Sequence, residues 1–430
     1  MDKQTAQAMI RFGLGRRGAE ALPGDPLAWL AQQVDAPDPA AFDAGLPSTA
    51  DGLTVLREQN KLKLGPDASL VRPLLDEDVE AHTTQILTTP APFRERLVWF
   101  WANHFTVSIR AGGVSAVIGP YLREAIRPNV TGSFAGLLLA VMRHPAMLIY
   151  LDNAASVGPN SNAGRNGRRG LNENLARECL ELHTLGPGGG QTQADVTEFA
   201  RVLTGWSVEQ QRLFPGWLFR DGAHEPGSKT VLGRRFGPGE AGGIAALDFL
   251  ARHPATHRHL ATKLVRHFVA DDPPPDAIRT IEGVLRDTDG DLAAASTALL
   301  HLPAAWAPLG KLRAPLDFAV AALRALDLPE GQRPPLRGAL NALGQPLWNP
   351  PLPNGWADTA AEWAAPEAVM RRIDWSHAVA GRAKDQDPAA VADAALGPLL
   401  RPQTRDAMRG AGSRRDAMTL LFTSPEFQRR

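Results

Sequence analysis

The stretch "NENLARECLELHTLGPGGGQTQADVTEFARVLTGW", residues 172–206, sets two helical patterns on either side of a glycine turn. At 100° per residue, Leu171, Leu175, Cys179 and Leu182 fall on one stripe and Asn174, Arg177, Glu178 and Glu181 on the arc beside it. The second segment repeats the three-and-four spacing, with Asp195, Glu198 and Arg201 each three apart. A link as short as Gly186–Gln191 predicts antiparallel neighbours. The same periodicity recurs in "PFRERLVWFWANHF", "ATHRHLATKLVRHFV" and "KLRAPLDFAVAALRAL", while period-two alternation is scarce. The expected fold class is therefore all-α: a compact multi-helix protein, residues 1–430 forming a single helical domain, with a small β-hairpin flap.

That flap is expected over 216–233, where "GWLFR" and "KTVLG" flank the turn-rich "DGAHEPGS". Two other stretches stand apart from the helices. Residues 154–170, "AASVGPNSNAGRNGRRG", offer little to bury and much backbone entropy to lose, so a mobile Gly/Asn-rich loop is expected. Residues 343–363 combine helix-blocking prolines with three tryptophans and read as an ordered Pro/Trp-rich strap across the helices.

Composition narrows the partners. Lys plus Arg and Asp plus Glu are equal at 46 each, so no net field draws in nucleic acid or an anionic membrane. The longest apolar run, "FAGLLLAVM" at 134–142, is too short to span a bilayer. One cysteine, Cys179, excludes internal disulfides and multi-cysteine metal clusters. "MDKQTAQAMIRFGLGRRG" lacks the pattern of a secretory or twin-arginine signal, and a cytoplasmic location is expected.

If the two helices face each other, Glu178, Glu181, Asp195 and Glu198 share a seam with Arg177 and Arg201. Three kinds of chemistry suit such a seam. Facing helices supply carboxylates to dimetal sites, but these also use Glu-x-x-His, which is absent here, so His104 or His224 would have to arrive from elsewhere. Crowded carboxylates can instead form a general acid and base pair, because like charges raise one pKa. The third reading is structural: Thr192 caps its helix with Asp195, and the remaining groups form an arginine–glutamate lattice. The chemical reading takes Glu178, Glu181, His224 and His104 as catalytic groups. Arg177, Lys229, Asn174, Asp195, Glu198 and Arg201 then bind substrate.

The flanking motifs are weighed in the same way. In "VWFWANHF", His104 sits among aromatics, where a bonded buried imidazole is the first expectation. In "HEPGSKTVLG", His224 and Lys229 lie on a loop, where packing does not demand them and binding would. In "HPATHRHLATKLVRHF", His253, His257, His259 and His267 suggest a metal cluster, but His253 precedes Pro254 and His259 and His267 are eight apart, so a basic surface helix is the favoured reading. No phosphate loop, dinucleotide fingerprint or serine elbow occurs, so nucleotide enzymes and serine hydrolases lose support.

The chain resembles a bacterial family known as domain of unknown function 1800 (DUF1800). "RFGLGRR", "FWANHF", "HPAMLIYLDN", "NENLARECLELHTLG", "DVTEFARVLTGW", "HEPGSKTVLG", "LARHPATHRHLATKL" and "PPLPNGW" carry the resemblance, from about residue 11 to Arg372. The family usually has His-Asp where this chain has His224 and Glu225, and many relatives look exported, which this N-terminus does not match. The resemblance implies membership and architecture but no settled activity. Similar proteins tend to be encoded beside sulfatase-like or phosphatase-like proteins, which implies a partner of that kind. The expected functions are thus hydrolytic or transfer catalysis in a carboxylate/His pocket, a non-catalytic binding or maturation role, or metal-dependent catalysis.

Overall fold

A computed structural model describes residues 1–40, 42, 45–64, 68–165, 167, 170–209 and 215–430. Helix accounts for 61% of the chain, and the strands described form two small antiparallel hairpins. One contiguous hydrophobic core runs through the chain from Ala8 to Phe427. Among the described residues, no helix is long and apolar enough to cross a membrane.

Helix α1, Pro92–His104, crosses the middle of this core. Proline at its first turn costs no hydrogen bond, and its fixed φ suits a helix start. Phe93, Leu97, Val98 and Trp101 are fully buried, each such side chain contributing roughly 1.5–3 kcal/mol. The other face is buried too, so its charges must be paired. Arg96 meets Asp317 at 2.7 Å, and Glu95 accepts from Arg127 at 2.8 Å.

The opening stretch forms α2, Asn174–Glu178, which continues as a π-helical turn over Cys179–His183. Helix α3, Gln193–Leu203, has the expected Thr192 as its N-cap, and Asp195 in the first turn bonds back to the Thr192 N–H to complete a capping box. The two helices are joined mainly by Glu173, which accepts from Thr197 Oγ1 at 2.6 Å and from Gln193 Nε2 at 2.8 Å.

The hairpin expected over 216–233 is paired differently. Strand β1, Trp206–Glu209, pairs with β2, Gly216–Phe219, and β3, Lys229–Val231, pairs with β4, Arg234–Phe236. "GWLFR" therefore takes its partner from the segment before it, and "KTVLG" from the segment after it. The physical reason is local: "VLGRRF" closes its own tight turn at Leu232 and Gly233, both with positive φ.

Helix α4, Pro254–Phe268, is capped by His253, whose Nδ1 accepts from Ala255 N–H. Its Leu260, Ala261, Leu264, Val265 and Phe268 are buried. Helix α5, Pro315–Leu326, carries Asp317 into the core, and α6, Pro366–Arg382, packs outside it.

The strap crosses the C-terminal end of α1. Asn103 Oδ1 accepts from Trp356 N–H at 2.8 Å, and its Nδ2 donates to the Trp356 carbonyl at 2.9 Å. Gly355 is required there: with φ of 77°, an added Cβ would stand 2.5 Å from the Asn103 carbonyl oxygen. Trp348 holds a left-handed φ of 53°, and its carbonyl accepts from Ile109 N–H at 2.9 Å.

In the 154–170 loop, Asn166, Arg168 and Arg169 lie outside the described residues. The part before them is anchored. Asn160 donates to both oxygens of Glu225, from N at 2.9 Å and from Nδ2 at 2.6 Å, and Gly158 N–H donates to the Ala223 carbonyl at 2.9 Å.

Candidate active site

The seam between α2 and α3 does not gather its four carboxylates. Arg177 bridges Glu173 at 3.0 Å and Glu181 at 3.7 Å along its own helix, as (i, i+4) spacing favours. Asn174 is exposed. Asp195 spends one oxygen on Thr192 and gives the other to Leu232 N–H at 2.7 Å, tying α3 to the β3–β4 turn. Glu198 pairs with Arg201. Glu178 is half-buried, and burial followed by the neighbouring Glu181 pushes its carboxyl pKa up. None of these residues lines either of the two principal cavities. Once Glu173 and Arg177 take up the facing positions, the acids are left to local partners.

His224 and Lys229 meet, but as a closed knot. His224 Nδ1–H donates to the Thr204 carbonyl at 2.8 Å, and Nε2 accepts from Gly239 N–H at 2.8 Å. Lys229, 2% exposed, lies 3.0 Å from the same Nε2 and donates to the Glu225 carbonyl. Both ring nitrogens are thus engaged, and the lysine's partners are protein atoms. This is how a buried polar cluster is satisfied.

His104 is placed otherwise. It lines both cavities, one of about 370 Å³ and one of about 590 Å³, and Lys263, Arg266 and Asn354 also stand on both. The first cavity is walled by aromatic and aliphatic groups, among them Trp99, Phe100, Trp348 and Trp356, and reaches Asp317, His267 and Asp358. The second is bounded by the Gly186–Gly189 turn, His259 and Arg258.

Helix α4 supplies most of the chemistry, which corrects its reading as a basic surface helix. His259, Lys263 and His267 are successive (i, i+4) positions, so they fall on one stripe, and that stripe faces the clefts. The imidazoles of His259 and His104 are held by the end of the π turn: Nε2–H of each donates at 3.1 Å, to the Leu182 and His183 carbonyls respectively. His183 itself is fully buried, with no hydrogen-bond partner for either ring nitrogen among the described residues. Burial, then the nearby Lys263, lowers these imidazoles, His259 to about 4, His183 to about 3 and His104 well below the ordinary value. At neutral pH all three are uncharged.

His267 is oriented by the strap. Its Nδ1 lies 2.9 Å from Asp358 Oδ2, while Nε2 is buried with no hydrogen-bond partner among the described residues. Burial brings His267 down to about 4, so Nδ1–H is the donor and Nε2 carries the free lone pair. Burial alone would raise Asp358, but His267, Lys311 and Arg430 together carry it well below the usual carboxylate range. Arg430 continues the network, 2.6 Å from Asp317 and 3.4 Å from Asp358, and Lys311 meets Asp271 at 2.5 Å.

Lys263 has no hydrogen bond or ion pair among the described residues. Burial lowers its amine to about 8, against the opposing pull of Asp358. Sequence reasoning missed it, along with Arg266, Asn354 and Asp358, and assigned His259 and His267 to a surface helix. The signal lay in "HLATKLVRH", whose three ionisable positions recur every four residues beside a helix's apolar face.

Among the described residues, no group of three or more His, Cys, Asp or Glu converges as metal ligands would. The clefts instead join a lysine, neutral imidazoles and a buried His–Asp pair in a mostly helical scaffold. The fold and the site together define a mostly helical protein with two clefts that share four lining residues. The chain belongs to the family described as protein of unknown function (DUF1800), whose profile matches residues 7–429. No curated protein and no solved structure matches it.

Proposed function

We propose that this chain is an enzyme of hydrolytic or transfer type working in the joined clefts around His104, Lys263 and His267. The observation that carries the reading is the Lys263 amine, which faces two cavities without a protein partner. An amine that lines two clefts beside neutral imidazoles, with no protein partner of its own, marks a functional site more often than a packing one. In this reading Asp358 holds the His267 ring so that Nε2 takes a proton, the role a carboxylate plays behind a general-base histidine. Arg266 and Arg258 hold an anionic group of the substrate.

The test is turnover of a panel of chromogenic esters, phosphate esters and sulfate esters. His267→Gln and Lys263→Met are expected to lower kcat at least 100-fold with the fold intact by circular dichroism. Full activity in both variants would reject the assignment.

A second reading, a non-catalytic partner of a sulfatase-like or phosphatase-like protein, draws support from the exposed Val369, Met370 and Ile373 on α6. Metal-dependent catalysis is disfavoured by the ammonium-bearing Lys263 amid the three imidazoles. A cytoplasmic setting remains a proposal resting on the single cysteine.

A further inference from the structure

We infer that Lys263 forms an imine with a small aldehyde or ketone that also carries an acidic group. The inference rests on the reading of the joined clefts as the active site and specifies what enters them. Three observations support it together. The amine is the one primary amine common to both cavities: an imidazole such as His104 lacks the two N–H hydrogens that an imine requires its nitrogen to lose, and Arg266 and Asn354 are poor nucleophiles. The larger cleft presents Arg258, Arg266 and Lys263 and no carboxylate, so its charge suits an acid. The smaller cleft presents Trp99, Phe100 and Trp348, an apolar wall that disfavours the return of water.

In the step itself, the neutral amine's lone pair forms a C–N bond at the carbonyl carbon, and the C=O π pair moves to oxygen. A proton passes from nitrogen to that oxygen, giving a carbinolamine. Loss of the hydroxyl with a second proton, as water, leaves C=N. One amine and one carbonyl thus become one imine and one water, with no change of oxidation state. Desolvated lysines perform this chemistry because burial keeps part of the population neutral. With the amine at about 8, roughly one in ten is neutral at pH 7, against fewer than one in a thousand for an ordinary lysine at 10.5.

The chain has seven lysines, which makes trapping interpretable. Lys229 and Lys311 are engaged with protein oxygens, and Lys3, Lys61, Lys63 and Lys384 are exposed. The full chain is incubated with 4-carboxybenzaldehyde at pH 7, reduced with borohydride, and mapped by peptide mass, while tryptophan fluorescence reports occupancy of the cleft. The expected result is one adduct, at Lys263, at least tenfold ahead of each exposed lysine, and weaker labelling by uncharged benzaldehyde. Lys263→Arg, which keeps the charge, loses the adduct. Fluorescence quenching without a Lys263 adduct would overturn the imine and leave the active-site reading standing. Neither quenching nor adduct would overturn both.

Discussion

His267 and Asp358, 91 residues apart in sequence, stand with Nδ1 and Oδ2 2.9 Å apart, fastening helix α4 to the strap. The same carboxylate faces Lys311 and Arg430, each at 3.4 Å. One acid therefore orients an imidazole and neutralises two buried cations.

Replacing Asp358 by Asn removes the shared carboxylate, while Lys311 keeps Asp271 at 2.5 Å and Arg430 keeps Asp317 at 2.6 Å. Neither cation is orphaned, so the cost falls short of the roughly 3–5 kcal/mol of a buried pair broken outright. Urea denaturation of Asp358→Asn is expected to show a loss of about 1–3 kcal/mol, the cost of leaving buried hydrogen-bonding groups short of a partner. A loss below about 1 kcal/mol would mean that the network is not what holds the strap.

Lys263→Met should behave in the opposite way. The wild-type amine drops from its ordinary 10.5 to about 8 on folding, so below pH 8 the fold bears a desolvated ammonium. Between pH 8 and 10.5 the unfolded chain holds the extra proton, and wild-type stability rises with pH. The variant, free of that burden, is expected to melt higher than wild type at pH 7, with the gap closing as pH passes from 8 to 10.5. A gap independent of pH would show that the amine is not desolvated.

Acid should loosen the same region. His183 titrates at about 3 in the fold against 6.5 when exposed, so protons bind the unfolded chain preferentially between those values. Stability is fully present above about pH 6.5 and is lost as pH falls toward 3. His104, His259 and His267 act in the same direction. Substituting His183→Leu should shrink the fall in melting midpoint between pH 7 and pH 5; an unchanged fall would place the acid sensitivity elsewhere.

Glu225 offers a test away from the clefts. Its two oxygens clasp the backbone and side-chain nitrogens of Asn160. Glu225→Asp withdraws the carboxylate by one carbon and should release one of the two contacts. Amide exchange at Asn160 and Ser161 is expected to quicken several-fold while α1 stays protected. No change would mean that other contacts hold the loop.

Helical periodicity in "PFRERLVWFWANHF" and "ADVTEFARVLTGW" made the fold class legible, since burial on helices leaves a three-and-four pattern. Strand pairing was not, because two short strands between turns do not say which neighbour they prefer. For the site, His104 was visible among its aromatics, and its depressed imidazole follows from them. Lys263 was hidden by its own helix, and His267, though conspicuous there, was set aside with it: a stripe of basic residues looks solvated unless one knows what faces it. What faces them is the strap, and a contact such as His267 with Asp358, 91 residues away, leaves no local signature.

The Cys179–His183 turn has a further consequence. It takes five residues where a regular turn takes fewer, and its final two carbonyls receive the imidazoles of His259 and His104. Shortening the chain by one residue there would restore an ordinary helix without altering any named side chain, yet would rephase both acceptors and swing His183 out of line. Length, as much as composition, is thus a means by which this scaffold can retune its chemistry.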